Sequence, residues 1–94
     1  MLIVLSSATA APGRRDELVG AARSMAAQTR TDDGCLAYSF SADLEDDRRI
    51  LGLEIWQDRE ALDAHMGHDH TVAFLAAARG LVTGEPAMSF YDVP

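Results

Sequence analysis

The sequence predicts a single α+β domain, spanning residues 1–94, whose elements follow in the order β-α-β-β-α-β. The chain has 94 residues, which is enough for one domain and too few for two. Runs typical of strands open and close the chain and occupy its middle, and two segments between them carry apolar residues at helical spacing. This order is the split βαβ arrangement, here with a four-stranded antiparallel sheet.

The first third of the chain predicts a strand and an amphipathic helix. Residues 2–8 are largely apolar or β-branched and form the first strand, after which Pro12 and Gly13 break the pattern. Over residues 14–29, four apolar residues recur at helical spacing, namely Leu18, Ala22, Met25 and Ala26. The turn-forming residues 31–34 end this helix.

The middle of the chain predicts a hairpin whose second strand is apolar on both faces. Residues 35–42 alternate and form the second strand, residues 43–49 form a charged loop, and residues 50–57 form the third strand. The third strand has two sets of side chains: Leu51, Leu53 and Ile55 on one face, and Ile50, Gly52, Glu54 and Trp56 on the other. A strand with one solvated face would alternate more cleanly, so we expect helices on one face and a second subunit of a homodimer on the other.

The last third predicts a divided helix and a final strand. Asp58 is suited to cap a helix that runs to Met66, where Gly67 interrupts it. A further helical segment is predicted over residues 71–79, a loop over residues 81–85, and the fourth strand over residues 87–93.

The composition argues against several classes of partner. The formal net charge is -7, with 15 acidic against 8 basic residues, so we expect no nucleic acid and no anionic membrane as a partner. Cys35 is the only cysteine, which excludes an intrachain disulfide. The apolar run after Met1 is too short for a signal peptide or a membrane span, and we expect a cytoplasmic protein.

Three stretches of the chain resemble the antibiotic biosynthesis monooxygenase (ABM) family. Residues 52–65 contain an E-x-W at the end of the third strand, then an acidic cap, an apolar helix turn and a histidine. Residues 34–38 resemble the family's G-C-x-x-Y, and Pro12-Gly13 also matches. The resemblance implies a ferredoxin-like fold, a dimeric α/β barrel with the helices outside, and a pocket in each subunit between sheet and helices.

Two branches of the family differ from this chain at their functional positions. Haem-degrading relatives use an Asn, a Trp and a His where this chain has Ser6, His65 and Leu75, so the resemblance does not extend to haem degradation. Anthrone-oxidising relatives share Trp56, but an Asn and a Tyr of theirs are replaced here by Gly52 and Leu62.

His65 and Glu54 are the candidate catalytic residues. His65 shares the apolar face of the second helix with Leu62 and Met66, and a histidine there could act as a general base. Glu54 lies on the same strand face as Trp56 and could serve as an acid or base. Each could instead be a buried, hydrogen-bonded structural residue.

The candidate substrate-binding residues are Trp56, Tyr38, Ser6, Leu62 and Met66. The indole of Trp56 could stack on an aromatic substrate and donate its N–H to a substrate oxygen. Tyr38 and Ser6 could hydrogen-bond a ligand, and Leu62 and Met66 could line an apolar pocket. Packing in the core is the alternative for Trp56 and Tyr38.

The histidines at positions 65, 68 and 70 do not have the spacing of a zinc pair on one helix, because Gly67 interrupts the helix between them. We expect no metal, with His68 and His70 at an exposed helix junction. The chain has no dinucleotide or phosphate-binding motif, so we expect no cofactor.

Three hypotheses of function follow. The first is a cofactor-independent monooxygenase that oxidises an aromatic polyketide or quinol with molecular oxygen, with His65 as the base. The second is an isomerase of a small metabolite that uses His65 and Glu54. The third is a non-catalytic, ligand-binding dimer of the same fold.

Overall fold

A computed structural model describes all residues from Met1 to Pro94. Its elements are, in chain order, β1 (Leu2–Ala10), α1 (Arg15–Thr29), β2 (Cys35–Asp43), β3 (Asp46–Trp56), α2 (Arg59–Met66), α3 (Asp69–Arg79) and β4 (Val82–Asp92). The predicted order is confirmed, and the second helical region is divided into α2 and α3 at Gly67 as expected.

Two segments predicted as loops are strands. The charged loop predicted over residues 43–49 is mostly the start of β3, and the loop predicted over residues 81–85 is mostly the start of β4. Both predictions were wrong because these strand ends are largely exposed, so their sequences lack the apolar alternation that marks a half-buried strand. The tight β2–β3 hairpin is held by Asp43, which accepts a hydrogen bond from the backbone of Glu45 and pairs with Arg49 at 3.2 Å.

The four strands form one antiparallel sheet in the order β2-β3-β1-β4. The long central pairing joins β1 to β3 and places Leu2 opposite Trp56 and Val4 opposite Glu54. The predicted α+β, ferredoxin-like architecture with a four-stranded antiparallel sheet is thereby confirmed.

All three helices lie on one face of the sheet, which we call the inner face. The main core lies there and consists of Leu2, Val4, Met25, Ala26, Tyr38, Trp56 and Leu62. A smaller core at the other end of the sheet consists of Ala10, Leu18, Ile50 and Leu81. The helices therefore cover the face of β3 that carries Glu54 and Trp56.

The opposite face of the sheet, the outer face, carries no helix although it is rich in apolar side chains. Leu5 is paired with Leu53 across β1 and β3, and these two side chains are 45% and 37% exposed. Ile3 and Ile55 form the next pair on the same face. The two-sided apolarity predicted for β3 is thus present, with one side left open in the single chain.

No helix of the chain combines the length and the apolar character that crossing a membrane requires.

Candidate functional site

A cavity of about 150 Å³ lies between the inner face of the sheet and the helices. Its wall is mainly apolar and includes Met25, Phe40, Phe74, Leu75 and Met88. Six polar residues also border it, namely Ser6, Ser7, Tyr38, Glu54, His65 and Thr71. Few, convergent polar groups in an apolar enclosure are typical of a small-molecule site.

His65 is almost fully buried, with 2% of its surface exposed. Its Nδ1 lies 2.8 Å from Oδ2 of Asp32 and 3.3 Å from the hydroxyl of Thr71. Because a carboxylate can only accept, Nδ1 carries a proton, and in the neutral imidazole the lone pair is then on Nε2. Nε2 has no hydrogen-bond partner in the chain and is not sealed off, so it is available to a molecule in the cavity.

Asp32 is a residue of the site that the sequence analysis missed. It lies in the turn after α1, where it was interpreted only as part of a helix-ending cluster, and its side chain is 7% exposed. Besides His65, it contacts His68 Nδ1 through Oδ1 at 3.2 Å and His70 Nε2 through Oδ2 at 3.1 Å. No local signal could have identified it, because it is 33 residues away from His65 along the chain.

The environment of Asp32 keeps its carboxylate ionised. Burial alone raises the pKa of Asp32, but the hydrogen bonds from His65, His68 and His70 together outweigh burial and hold it below its ordinary value. An ionised Asp32 fixes the tautomer and the ring orientation of His65.

Gly34 allows the turn that carries Asp32 to meet helix α2. Its φ of +78° is in the left-handed region, and a Cβ at this position would lie 2.5 Å from the Cβ of Ala61. Helix α2 itself starts where predicted, because the side chain of Asp58 accepts a hydrogen bond from the backbone N–H of Ala61 at 2.9 Å. Close approach of these two segments brings His65 to Asp32.

The turn at Gly67 has the opposite effect to the one expected. The sequence predicts that Gly67 separates the histidines, but the end of α2 at Gly67 places His68 and His70 against the carboxylate that also contacts His65. The predicted exposed junction is correct in part for His68, whose side chain is 42% exposed, but not for His70, at 19%. The ligand atoms of Asp32 and the three histidines lie within 4.8 Å of one another.

Glu54 and Trp56 form a buried pair on β3. The indole N–H of Trp56 donates to Oε1 of Glu54 at 3.0 Å, so it is already used within the chain. Burial raises the pKa of Glu54, and the hydrogen bond from Trp56 opposes this effect in part. Trp56 is fully buried and its ring lies 4.6 Å from that of His65, centre to centre, where it packs behind the imidazole.

Tyr38 presents a free hydroxyl to the cavity. The hydroxyl has no hydrogen-bond partner in the chain, although the side chain is 6% exposed. Burial, with the charge of Glu54 as a second cause, raises the pKa of Tyr38 well above its ordinary value, so the phenol stays protonated and can donate. Ser6 lies opposite Gly52 on the neighbouring strand, and a Cβ on Gly52 would collide with its hydroxyl.

The predicted site residues thus divide into two groups. His65, Glu54, Tyr38, Ser6 and Met66 all contribute to the wall of the cavity. Trp56 and Leu62 lie in the main core and contribute no surface to it.

A second, more open groove of about 400 Å³ lies between α1 and β2. It is lined in part by Arg15, Arg23 and Arg30, and none of the predicted site residues borders it. Arg15 donates to the backbone carbonyl of Asp47 and Arg30 to that of Tyr38, so these two arginines link α1 and the turn after it to the strands. The candidate site is therefore the inner cavity.

Several solved structures share this fold across the whole chain. An antibiotic biosynthesis monooxygenase is 26% identical with a TM-score of 0.93, covering 100% of this chain and 99% of the other. Rv0793 from Mycobacterium tuberculosis is 25% identical with a TM-score of 0.93, covering 99% and 94%. PA3566 from Pseudomonas aeruginosa is 28% identical with a TM-score of 0.90, covering 99% and 94%.

A similar sequence occurs in an uncharacterised protein of Synechocystis sp., which is 24% identical over 92 residues. The match covers 98% of this chain, and the chain spans 63% of the length of that relative. The family model described as antibiotic biosynthesis monooxygenase matches residues 1–77. With the motifs at residues 34–38 and 52–65 and the fold shared with the solved structures, the chain belongs to the antibiotic biosynthesis monooxygenase family.

Proposed function

We propose that the protein is a cofactor-independent monooxygenase that oxidises a small, electron-rich aromatic with molecular oxygen. Membership of the family and the shared fold support a monooxygenase-like function in general. The observation that carries the specific proposal is the imidazole of His65, whose Nδ1 is held by Asp32 while its Nε2 is free at an apolar cavity.

The size of the cavity favours a substrate with a single ring, such as a benzene-diol. A volume of about 150 Å³ is close to that of an engineered apolar cavity that binds benzene. The hydroxyls of Tyr38 and Ser6 are donors on the cavity wall and could orient a ring oxygen. An aromatic polyketide with several fused rings would need the cavity to enlarge.

The proposed chemistry begins with a proton transfer. Nε2 of His65 accepts the proton of a ring hydroxyl, and the resulting phenolate is electron-rich enough to react with oxygen directly at a ring carbon. The imidazolium then returns the proton to the peroxide, and loss of water leaves a new carbonyl. The balance is one diol and one oxygen molecule giving one hydroxyquinone and one water.

The remaining groups would assist in defined ways. Ionised Asp32 stabilises the imidazolium that forms on His65, as a carboxylate does for a catalytic histidine. The apolar wall excludes water from the phenolate. Trp56 supports the ring of His65 from behind, since their centres lie 4.6 Å apart.

An acid–base isomerase is the second candidate, and one observation favours it. Glu54 has a raised pKa and lies at the same cavity as His65, so the two could act as an acid and a base on a small metabolite. The mainly apolar wall is better suited to an aromatic ring than to a polar metabolite.

Oxygen uptake by chelator-treated protein tests the proposal. Hydroquinone should be consumed faster with protein than without, whereas a three-ring anthrone should react no faster than its autoxidation. His65→Gln should slow turnover by roughly 10²–10⁴-fold, the usual loss for a positioned base. His68→Gln is the matched control, because His68 also contacts Asp32 but does not border the cavity. If His65→Gln turns over normally per folded molecule, the proposed role of His65 is wrong.

We further propose that the protein is a homodimer whose subunits meet through the outer face of the sheet. Leu5 and Leu53 are large apolar side chains left about half exposed there, and the row beside them is also apolar. Sedimentation equilibrium at micromolar concentration should give twice the monomer mass of 10.1 kDa. A monomer at that concentration would contradict the barrel arrangement.

A further inference from the structure

We propose that Asp32, His65, His68 and His70 form a binding site for a divalent transition metal of the zinc class. Their ligand atoms lie within 4.8 Å of one another, and all three imidazoles already point a ring nitrogen at one carboxylate. Three imidazole nitrogens with one carboxylate oxygen are a donor set that Zn²⁺, Co²⁺ and Ni²⁺ accept.

The nitrogen–oxygen distances within the cluster are close to those of a tetrahedral site. With metal–nitrogen bonds of about 2.0–2.1 Å, neighbouring ligand atoms of a zinc site lie about 3.3 Å apart. The nitrogens of His65, His68 and His70 lie 2.8, 3.2 and 3.1 Å from the oxygens of Asp32. A metal would lengthen these nitrogen–oxygen distances by a few tenths of an ångström, and it would draw together those ligand atoms that now lie up to 4.8 Å apart.

The backbone around the cluster holds its ligands in place. His68 precedes the first residue of α3, and its carbonyl accepts hydrogen bonds from the N–H groups of Thr71 and Val72 at 3.0 Å each. Asp32 is fixed in its turn by the bond from its own N–H to the carbonyl of Thr29 at 2.9 Å. The 42% exposure of the His68 side chain provides a route of entry from solvent.

Charge and protons also fit a divalent cation. Ionised Asp32 places a negative charge within the cluster, of the sign that attracts a divalent cation. Each imidazole can free its inward nitrogen by moving the proton to the other ring nitrogen, so no proton has to leave the protein. The metal would replace the hydrogen bonds to Asp32 as the partner of these nitrogens.

Metal binding would have a direct effect at the cavity if His65 acts as proposed above. With the metal on Nδ1, the proton of His65 moves to Nε2, the nitrogen that is free at the cavity. His65 would then be a hydrogen-bond donor and could not accept the proton of a ring hydroxyl. The occupied cluster would thus inhibit the proposed oxygenation reversibly.

Titration of metal-free protein with Zn²⁺ and Co²⁺ tests the site without reference to activity. We expect one ion per chain by calorimetry and, for Co²⁺, the visible absorption of a four-coordinate site. His68→Gln and His70→Gln should each weaken binding by at least the roughly 10–100-fold that loss of a supporting group costs. Cys35→Ser, a change at a possible ligand outside the cluster, should leave binding unchanged.

The outcomes separate this proposal from the proposed function. The proposal fails if the metal does not saturate a site at metal concentrations up to about 100 times that of the protein. It also fails if binding is unchanged in both His68→Gln and His70→Gln. Either result would show that the cluster is a hydrogen-bond network only. His68 is largely accessible, so His68→Gln should fold normally, and circular dichroism checks this. If metal binds but no substrate is oxidised with or without it, the site stands and the oxygenase proposal fails. If both hold, Zn²⁺ should inhibit the native chain and not His68→Gln.

Discussion

The two faces of the sheet are built from the same strands but are completed in different ways. On the inner face, Trp56 is fully buried and donates to Glu54, and no polar side-chain atom that is completely shielded from solvent lacks a partner. On the outer face, Leu5 and Leu53 are apolar and about half exposed. The chain's own helices cover the inner face, whereas the outer face is open in the single chain, and a second subunit is proposed to cover it.

The largest expected effect in this comparison is that of Trp56→Ala. Removing a fully buried indole should cost about 3–5 kcal/mol of stability and would also leave the carboxyl of Glu54 without its donor. Leu53→Ala on the outer face is the matched change, and in dilute, monomeric protein it should cost less than about 1 kcal/mol. Urea unfolding of both variants measures the difference. Equal losses would show that the two faces are not distinct.

The next effect concerns association. Leu5→Glu places a charge in the centre of the outer face, where a partner would have to bury it unpaired. The dissociation constant of the dimer should rise by at least ~100-fold. The circular dichroism spectrum of the Leu5→Glu monomer should remain that of the folded chain. The melting temperature of the native chain should rise with concentration, and that of Leu5→Glu should not. A dimer that tolerates Leu5→Glu would have to use another surface.

Asp32→Ala tests whether the carboxylate in the turn after α1 orients His65 for the proposed reaction. Without the carboxylate, the proton of His65 is no longer fixed on Nδ1, so we expect turnover of the proposed reaction to fall roughly 10–100-fold. The pH profile of turnover should change as well, which a purely structural role would not cause. Unchanged turnover and profile would remove Asp32 from the mechanism.

The smallest effect concerns Glu54 and pH. Because its pKa is raised in the folded chain, Glu54 binds a proton more tightly folded than unfolded, and it opposes folding increasingly as pH rises through its unfolded pKa towards its folded one. Glu54→Gln keeps an acceptor for Trp56 but cannot ionise, so it should be more stable than the native chain at neutral pH and equal to it in acid. Urea unfolding at several pH values measures this, and a constant difference across pH would contradict it.

The sequence was sufficient for the fold because the evidence for each element is local. The alternation in β2, the spacing of Leu18, Ala22 and Met25 in α1, and the cap at Asp58 can all be recognised within one element. The exposed ends of β3 and β4 lack such a pattern, and they were predicted as loops. Strand character there comes from pairing with neighbouring strands, which a sequence pattern does not contain.

The candidate site was predictable only in the parts that lie on a regular face. His65, Glu54 and Tyr38 were found because helical or strand periodicity directs them inward. Asp32 was missed because its role depends on a contact between two turns that are distant in the chain. His70 was set aside for the same reason, since the bend at Gly67 decides where it points.

Gly34 affects both the packing of the turn after α1 and the contact between Asp32 and His65. A single methyl group there would push the turn of Asp32 away from Ala61, and therefore also from the helix that carries His65. The 2.8 Å contact between the imidazole of His65 and the carboxylate of Asp32 thus depends on a glycine two residues after Asp32. A substitution of Gly34 would therefore change the packing of this turn and the environment of the His65 imidazole at the same time.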